Sequence, residues 1–299
     1  MFVMNKLPLE KRIQVLSMLV EGSSMRAISR VADVSINTVT KLLEDAGEAC
    51  IALHDGKVHG VKARRLQCDE IWSFNYCKKI RVPTAKAAPD KAGDVWTWTA
   101  IDADSKLIVS YLVGDRDGEH ALEFIGDLAT RIMDRPQITT DGLASYVGAI
   151  DEIFGLDVDF AQLIKSYSET PETGPERKYS PGICTGIQKR KVVGNPDRTH
   201  VSTSYVESHN QKMRQNMRRF TRLTAGHSKK FANHCHALAL YFAYYNFVKV
   251  HSALRMSPAM AAGIETRLWD MSDIVMFMDA RKPVPAKRGP YKKTAEISN

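Results

Sequence analysis

At 299 residues the chain exceeds the usual length of one domain, so one larger domain with a smaller one appended is expected. Apolar residues at 44% and charged residues at 25% describe a folded chain, and a net charge of +8 favours polyanionic partners, either nucleic acid or an anionic membrane surface. No run of about 18 apolar residues is present, which excludes a membrane-spanning helix and leaves no membrane among the expected partners.

The opening MFVMNKLPLEKR has neither an apolar core nor a small-residue cleavage site, so secretion is not expected. Cys50, Cys68, Cys77, Cys184 and Cys235 are odd in number and scattered, with no C-x-x-C pair. They argue against a disulfide framework and against zinc, and point to a reducing cytoplasm.

In chain order, residues 8–20 place Ile13, Leu16, Leu19 and Val20 on one helical stripe. Gly22 stops that helix, and Ser23 or Ser24 can cap a second one with Ala27, Ile28 and Val31 inward. After a break at 32–34, Ser35 caps a third helix carrying Ile36, Val39, Leu42 and Leu43. This is the outline of a helix-turn-helix over residues 1–48, whose Ser35, Asn37, Thr38 and Lys41 can touch bases or phosphates. A three-helix packing module that touches no DNA is the competing reading. Residues 49–64 read as a linker in which His54 and His59 are solvated, because nothing completes a metal site around them.

From residue 65 the period changes to two. LQCDEIWSF alternates, and VWTWTAI with KLIVSYLVG reads as a hairpin whose tip carries Asp102 and Asp104. A helix over EHALEFIGDLATRIM, a strand QITT, a helix LASYVGAIDEIFG and a strand VDFAQLI follow. Three antiparallel strands, then helix, strand, helix, strand, is the order of an α/β ribonuclease-H-like domain. The expected architecture is thus an integrase-type mixed-sheet catalytic domain at 65–262 behind an N-terminal all-α helix-turn-helix domain. Residues 166–200, rich in Ser, Pro and Gly at their start, read as an irregular insertion. Two helices follow, in STSYVESHNQKMRQNMRRF and KKFANHCHALALYFAYYNFVKVH. Residues 263–299 form a C-terminal segment ending in a basic, Pro-rich tail expected to be disordered.

Three acids stand out by position. Asp69 lies mid-strand among apolar residues, where a carboxylate is costly unless paired or metal-bound. Asp141 closes the fourth strand in T-T-D-G, and Glu207 opens a late helix in Y-V-E-S-H-N. Each also has a bland reading: a solvated turn former for Asp141, a favourable charge at a helix N-terminus for Glu207. Glu70 competes with Asp69, but alternation sets it on the face of Trp72 and Phe74 in a structural or supporting role. Asp102 and Asp104 are rival ligands best explained by solvation in a hairpin tip. Hard oxygen donors with open positions suit Mg²⁺ or Mn²⁺, and two such ions can drive an in-line displacement at phosphorus. Asn210 follows Glu207 by one helical turn and Arg214 by two, about 10 Å along the axis, while His209 falls off that face. Basic residues crowd 189–230, including Arg218, Arg219 and Arg222, against only Asp197 and Glu207, as expected of a phosphate track.

The motifs C-D-E-I-W at 68–72, T-D-G at 140–142 and V-E-S-H-N-Q-K-M-R-Q-N at 206–216 resemble the DDE transposases of the insertion-sequence-one family. H-S-K-K-F-A-N-H-C-H at 227–236 and Y-N-F-V-K-V-H-S-A-L at 245–254 extend the likeness to about residues 65–260. The resemblance implies a prokaryotic setting and a ribonuclease-H-like domain with two Mg²⁺ or Mn²⁺ ions on Asp69, Asp141 and Glu207, with His209, Asn210 and Arg214 in support. It implies double-stranded DNA as partner, both transposon ends and target. Hydrolysis at the ends is followed by attack of the freed 3′-hydroxyl, with no covalent protein–DNA intermediate. Two ends must meet, so at least a homodimer is expected. Some members of that family carry a cysteine-rich zinc element ahead of the catalytic domain, which this sequence does not show, and 66 positions separate Asp141 from Glu207. A helix-turn-helix transcription regulator with a non-catalytic α/β body is the alternative. A tyrosine recombinase is disfavoured, since Tyr241, Tyr244 and Tyr245 lie in an apolar helix.

Overall fold

The computed structural model describes residues 6–168, 182–221 and 225–281. Three helices come first: α1 (Leu9–Val20), α2 (Met25–Val31) and α3 (Ile36–Lys57). The Ser24 hydroxyl accepts the Ala27 N–H and the Ser35 hydroxyl accepts the Thr38 N–H, both at 3.1 Å, so each serine satisfies a backbone donor that a helix start would orphan. Asp33, at φ 50°, makes the break between α2 and α3.

The remaining elements are β1 (Arg65–Asn75), β2 (Gly93–Asp102), β3 (Ile108–Gly114), α4 (Gly118–Arg131), β4 (Gln137–Thr140), α5 (Ser145–Phe154), β5 (Asp159–Tyr167) and β6 (Cys184–Val193). After them come α6 (Ser204–Asn216), α7 (Phe231–Ala243), α8 (Pro258–Ala261) and α9 (Met271–Ala280). The strands form one mixed sheet in the order β3-β2-β1-β4-β5-β6, flanked by helices. β4 runs parallel to β1 and to β5, and the other pairs are antiparallel.

Alternation along β1 sends its residues to two different layers. On one face Glu70 and its cross-strand partner Trp98 meet α4 and α5: Trp98 packs on Phe124 and Tyr146, with ring centroids 5.9 and 5.4 Å away. On the other face Gln67, Asp69 and Ser73 meet α6 and α7 through Tyr205, Asn210 and His234.

The N-terminal helices share one apolar core with the sheet, from Val15 and Leu16 through Leu43 and Trp98 to Val275. Arg12 donates to both carboxylate oxygens of Asp279 at 2.7 and 2.8 Å, tying α1 to α9. The expected linker at 49–64 is in large part helix, since α3 continues unbroken to Lys57. Its neighbour α7 dictates a glycine there: a Cβ on Gly47 would lie 2.3 Å from the His236 Cβ. His54 is buried rather than solvated. Its ring donates to the Val109 carbonyl at 3.1 Å, and burial pushes its pKa down to about 4.

Two further expectations are corrected. Asp102 is buried, because the turn folds back on it: its carboxylate accepts the Ser105 N–H at 2.8 Å and the Ser105 hydroxyl at 2.5 Å. Asp104 is the exposed one and pairs with Arg65. Within the stretch expected to be irregular, β6 pairs with β5 along its whole length, with its side chains largely exposed. Residues 169–181 of that stretch and the basic tail from 282 lie outside the described residues. No helix among the described residues is long and apolar enough to cross a membrane.

Candidate metal centre

The site begins with an unequal strand pair. β1 continues well beyond the four-residue β4, and their parallel register matches Gln67 with Thr139. Two residues further on, Asp69 comes alongside Asp141, just past the end of β4. Where β4 stops, the edge of β1 is left open until Asn75, which is bridged by Ser228. The result is a crevice past the carboxyl end of β4 and beside the middle of the longer β1.

Glu207 reaches this crevice from the first turn of α6. That helix is fixed to β1 by Gln67, whose side-chain oxygen accepts the N–H groups of Tyr205 at 2.8 Å and Val206 at 3.2 Å. Gln67 and Asp69 share a face, so the same strand positions the helix and the carboxylate it serves. One turn on, Asn210 donates its side-chain N–H to Asp69 Oδ2 at 2.8 Å. Asp69, Asp141 and Glu207 line one cleft together with Arg116, Leu163 and Lys165.

Carboxylates crowd here. Oxygens of Asp69, Glu70 and Asp141 all lie within 4.8 Å of one another. Burial raises the Asp69 pKa to about 7, with further upward pressure from Glu70 and Asp141. Glu70 is also raised, by burial and by Asp141, although Arg116 opposes the shift. The side-chain oxygen of Asn210 is buried and accepts no hydrogen bond. A cluster of hard oxygen donors whose charges repel one another is the donor set that suits a divalent cation such as Mg²⁺ or Mn²⁺. With no cysteine or histidine among these donors, it does not suit structural zinc.

The tight cluster differs from the expected trio. Glu70 takes part, although alternation assigns it to the opposite face: its carboxylate lies within 4.8 Å of those of Asp69 and Asp141. There it accepts from Arg116 at 2.5 and 2.6 Å and from the Tyr146 hydroxyl at 3.1 Å. Glu207 is held slightly apart, accepting from Lys165 at 2.5 and 2.6 Å and from the Thr203 hydroxyl at 2.5 Å. Asp141 is also the turn former that its T-T-D-G context suggested. One of its oxygens accepts the Leu143 N–H at 2.9 Å, and the other lies 3.7 Å from Arg116.

The expected supporting residues divide. Asn210 is in place. His209 is buried on the far side of α6 against Tyr245, Phe242 and Tyr241, and burial pushes its pKa down to about 3, so it does not reach the cleft. Arg214 is half-buried near the end of α6, its carbonyl accepting the Thr221 hydroxyl. Arg218 is exposed and donates to the Gly22 carbonyl at 3.3 Å. Arg219 is half-buried, and burial lowers its pKa to about 10. Arg222 lies outside the described residues. In the N-terminal helices Ser35, Asn37 and Lys41 are exposed and Thr38 is half-buried. Arg116 and Lys165, the cations among the described residues that face the carboxylates, are not among the residues singled out from the sequence. Neither lies in a motif, and only the folded sheet brings them to the cleft.

No protein-family model matches the chain, and no curated protein matches it. Among solved structures, a piggyBac transposase synaptic complex with hairpin DNA is similar over 93% of this chain and 72% of that one, at 10% identity and a TM-score of 0.38. The Mos1 strand transfer complex is similar over 52% of this chain and 58% of that one, at 14% identity and a TM-score of 0.21. The Mos1 mariner paired end complex with Mn gives 54%, 61%, 14% and 0.22 in the same order. The chain therefore spans under two thirds of the Mos1 chains. Likenesses this slight carry no argument about this protein's chemistry, which rests on the geometry above.

Proposed function

We propose that the chain is a DNA transposase of the insertion-sequence-one kind, cutting and joining phosphodiester backbones with two divalent metal ions held by Asp69, Asp141 and Glu207. The observation that carries this reading is the register of β1 with β4, which sets Asp69 beside Asp141 at the mouth of a cleft that Glu207 also lines. The strand order, three antiparallel strands followed by parallel β4 and β5, supports a ribonuclease-H-like sheet. The capped helices α2 and α3, with exposed Asn37 and Lys41, support a helix-turn-helix that holds transposon ends.

When bound, the metal ions supply activation of the attacking oxygen and stabilisation of the leaving oxygen. The rest is done by side chains. Asn210 orients Asp69 through its donated hydrogen bond. Arg116 offsets the charge of Glu70 and, with Lys165, gives the cleft cations that a phosphate would meet. Double-stranded DNA is the substrate, as transposon end and as target, and two copies of the chain hold the two ends.

The test is Mg²⁺- or Mn²⁺-dependent nicking of DNA bearing the terminal repeats of the protein's own element. Asp69→Asn, Asp141→Asn and Glu207→Gln are each expected to lower the rate at least about a hundredfold. Substituted proteins that cut at the wild-type rate overturn the reading. A transcription regulator would bind its DNA unaffected by all three changes and cut nothing.

A further inference from the structure

The face of β1 that carries Glu70, opposite to that of Asp69, also carries rings. Trp72 and Phe74 follow Glu70 at alternate positions, and Trp96 stands opposite Trp72 on β2. Trp72 and Phe74 lie 5.7 Å apart between centroids, and the His227 ring continues the row 4.7 Å beyond Phe74, tilted by only 30°. All four rings are half-buried, whereas Trp98, one pair further back on this face, is fully covered by α4 and α5. A core made for stability would close over these rings too.

Cations stand over the row. The Arg116 guanidinium lies 4.8 Å from the Trp96 centroid while bonded to Glu70, and the Lys78 ammonium lies 5.9 Å from Trp72. The one acid opposite Phe74, Asp94, is engaged by the Lys79 N–H at 3.2 Å. Flat π-faces alternating with positive charge match the chemistry of unpaired nucleotides, whose bases stack and whose phosphates need counter-charge.

We propose that Trp96, Trp72, Phe74 and His227 form a stacking platform for unpaired bases of a DNA strand whose backbone passes the carboxylate cleft. The path of that strand rests on the cutting reading above, whereas the stacking does not. Arg116 joins the two, touching a carboxylate of the cleft and a ring of the platform.

The test is metal-free, with EDTA present, so it is independent of cutting. Affinity is measured by fluorescence anisotropy for a labelled twelve-nucleotide single strand, and for the same strand with its central four positions abasic, which keeps the phosphates and removes the π-faces. Wild type is expected to bind the base-bearing strand about tenfold more tightly. Trp72→Leu and Trp96→Leu lose that difference while keeping their affinity for the abasic strand, and Trp72→Phe retains it. Phe74→Leu, which leaves the tryptophan pair intact, gives the same readout should a tryptophan variant fail to fold. Equal affinity of wild type for both strands, or a preference that survives in folded leucine variants, overturns the platform. A protein that shows the preference but does not nick DNA keeps the platform and loses the cutting reading.

Discussion

Asp69, half-buried at the cleft, and Asp102, buried in a turn, lie on neighbouring strands and fare differently. Around Asp102 the chain supplies donors: the N–H and hydroxyl of Ser105, and the Asp104 N–H at 3.4 Å. Around Asp69 the described residues supply the Asn210 side chain and the Glu70 N–H as donors, set against three more carboxylates, Glu70, Asp141 and Glu207. Burial penalises both charges. What separates the two carboxylates is the sign of their neighbours.

The contrast can be broken first at Asp102. Asp102→Ala strands the Ser105 donors and is expected to cost about 2–3 kcal/mol of stability, read by denaturant unfolding, with metal binding unchanged. If stability is untouched, the turn does not depend on this carboxylate.

Asp69→Asn is expected to act in the opposite sense. The folded-state pKa of about 7 lies above the ordinary carboxylate value of 3.8, so the fold favours the protonated acid. That contribution is fully present below pH 3.8 and is lost as pH rises toward and through 7. In EDTA the asparagine variant should therefore gain on wild type across this window. The gain reaches about 1–2 kcal/mol at pH 8, discounted for the partial exposure of the group. A constant difference between pH 4 and pH 8 would show that Asp69 is not under this pressure.

The smallest effect sharpens the account of donors. Asn210→Ala removes the hydrogen bond that favours the ionised form, and should raise the Asp69 pKa by about one unit, read by carboxyl NMR titration. A pKa that stays put would mean that Asn210 does not stabilise the charge.

Much of this was legible in the sequence, because periodicity and capping are local. A cap at Ser23 or Ser24, which the fold resolves as Ser24, the cap at Ser35, the first five strands and the helices between them follow from apolar spacing and turn residues. β6 was hidden for a physical reason. CTGIQKRKVV is exposed on both faces, so it lacks the alternation that betrays a half-buried strand and owes its form to pairing with β5. The length of α3 was masked because residues 49–64 read as a linker, and only the folded protein shows α7 pressed against α3 at Gly47. At the site, Asp69 and Asp141 could be ranked from strand position, whereas the part played by Glu70 could not. Alternation predicts where a Cβ points, and a long side chain at an open strand edge can turn back. His209 shows the converse, a residue next to a motif acid that faces the opposite way on a helix.

The unbroken α3 has a consequence for how any DNA held at its start would be presented. Twenty-two residues at 1.5 Å each make a rod of about 33 Å, with Asn37 and Lys41 in its first two turns and His54 locked to β3 near its end. A tethered head would have to search for its alignment with the body at each encounter. Here the orientation of α3 is settled when the protein folds, so DNA held at its start would be aligned with the body without a further search.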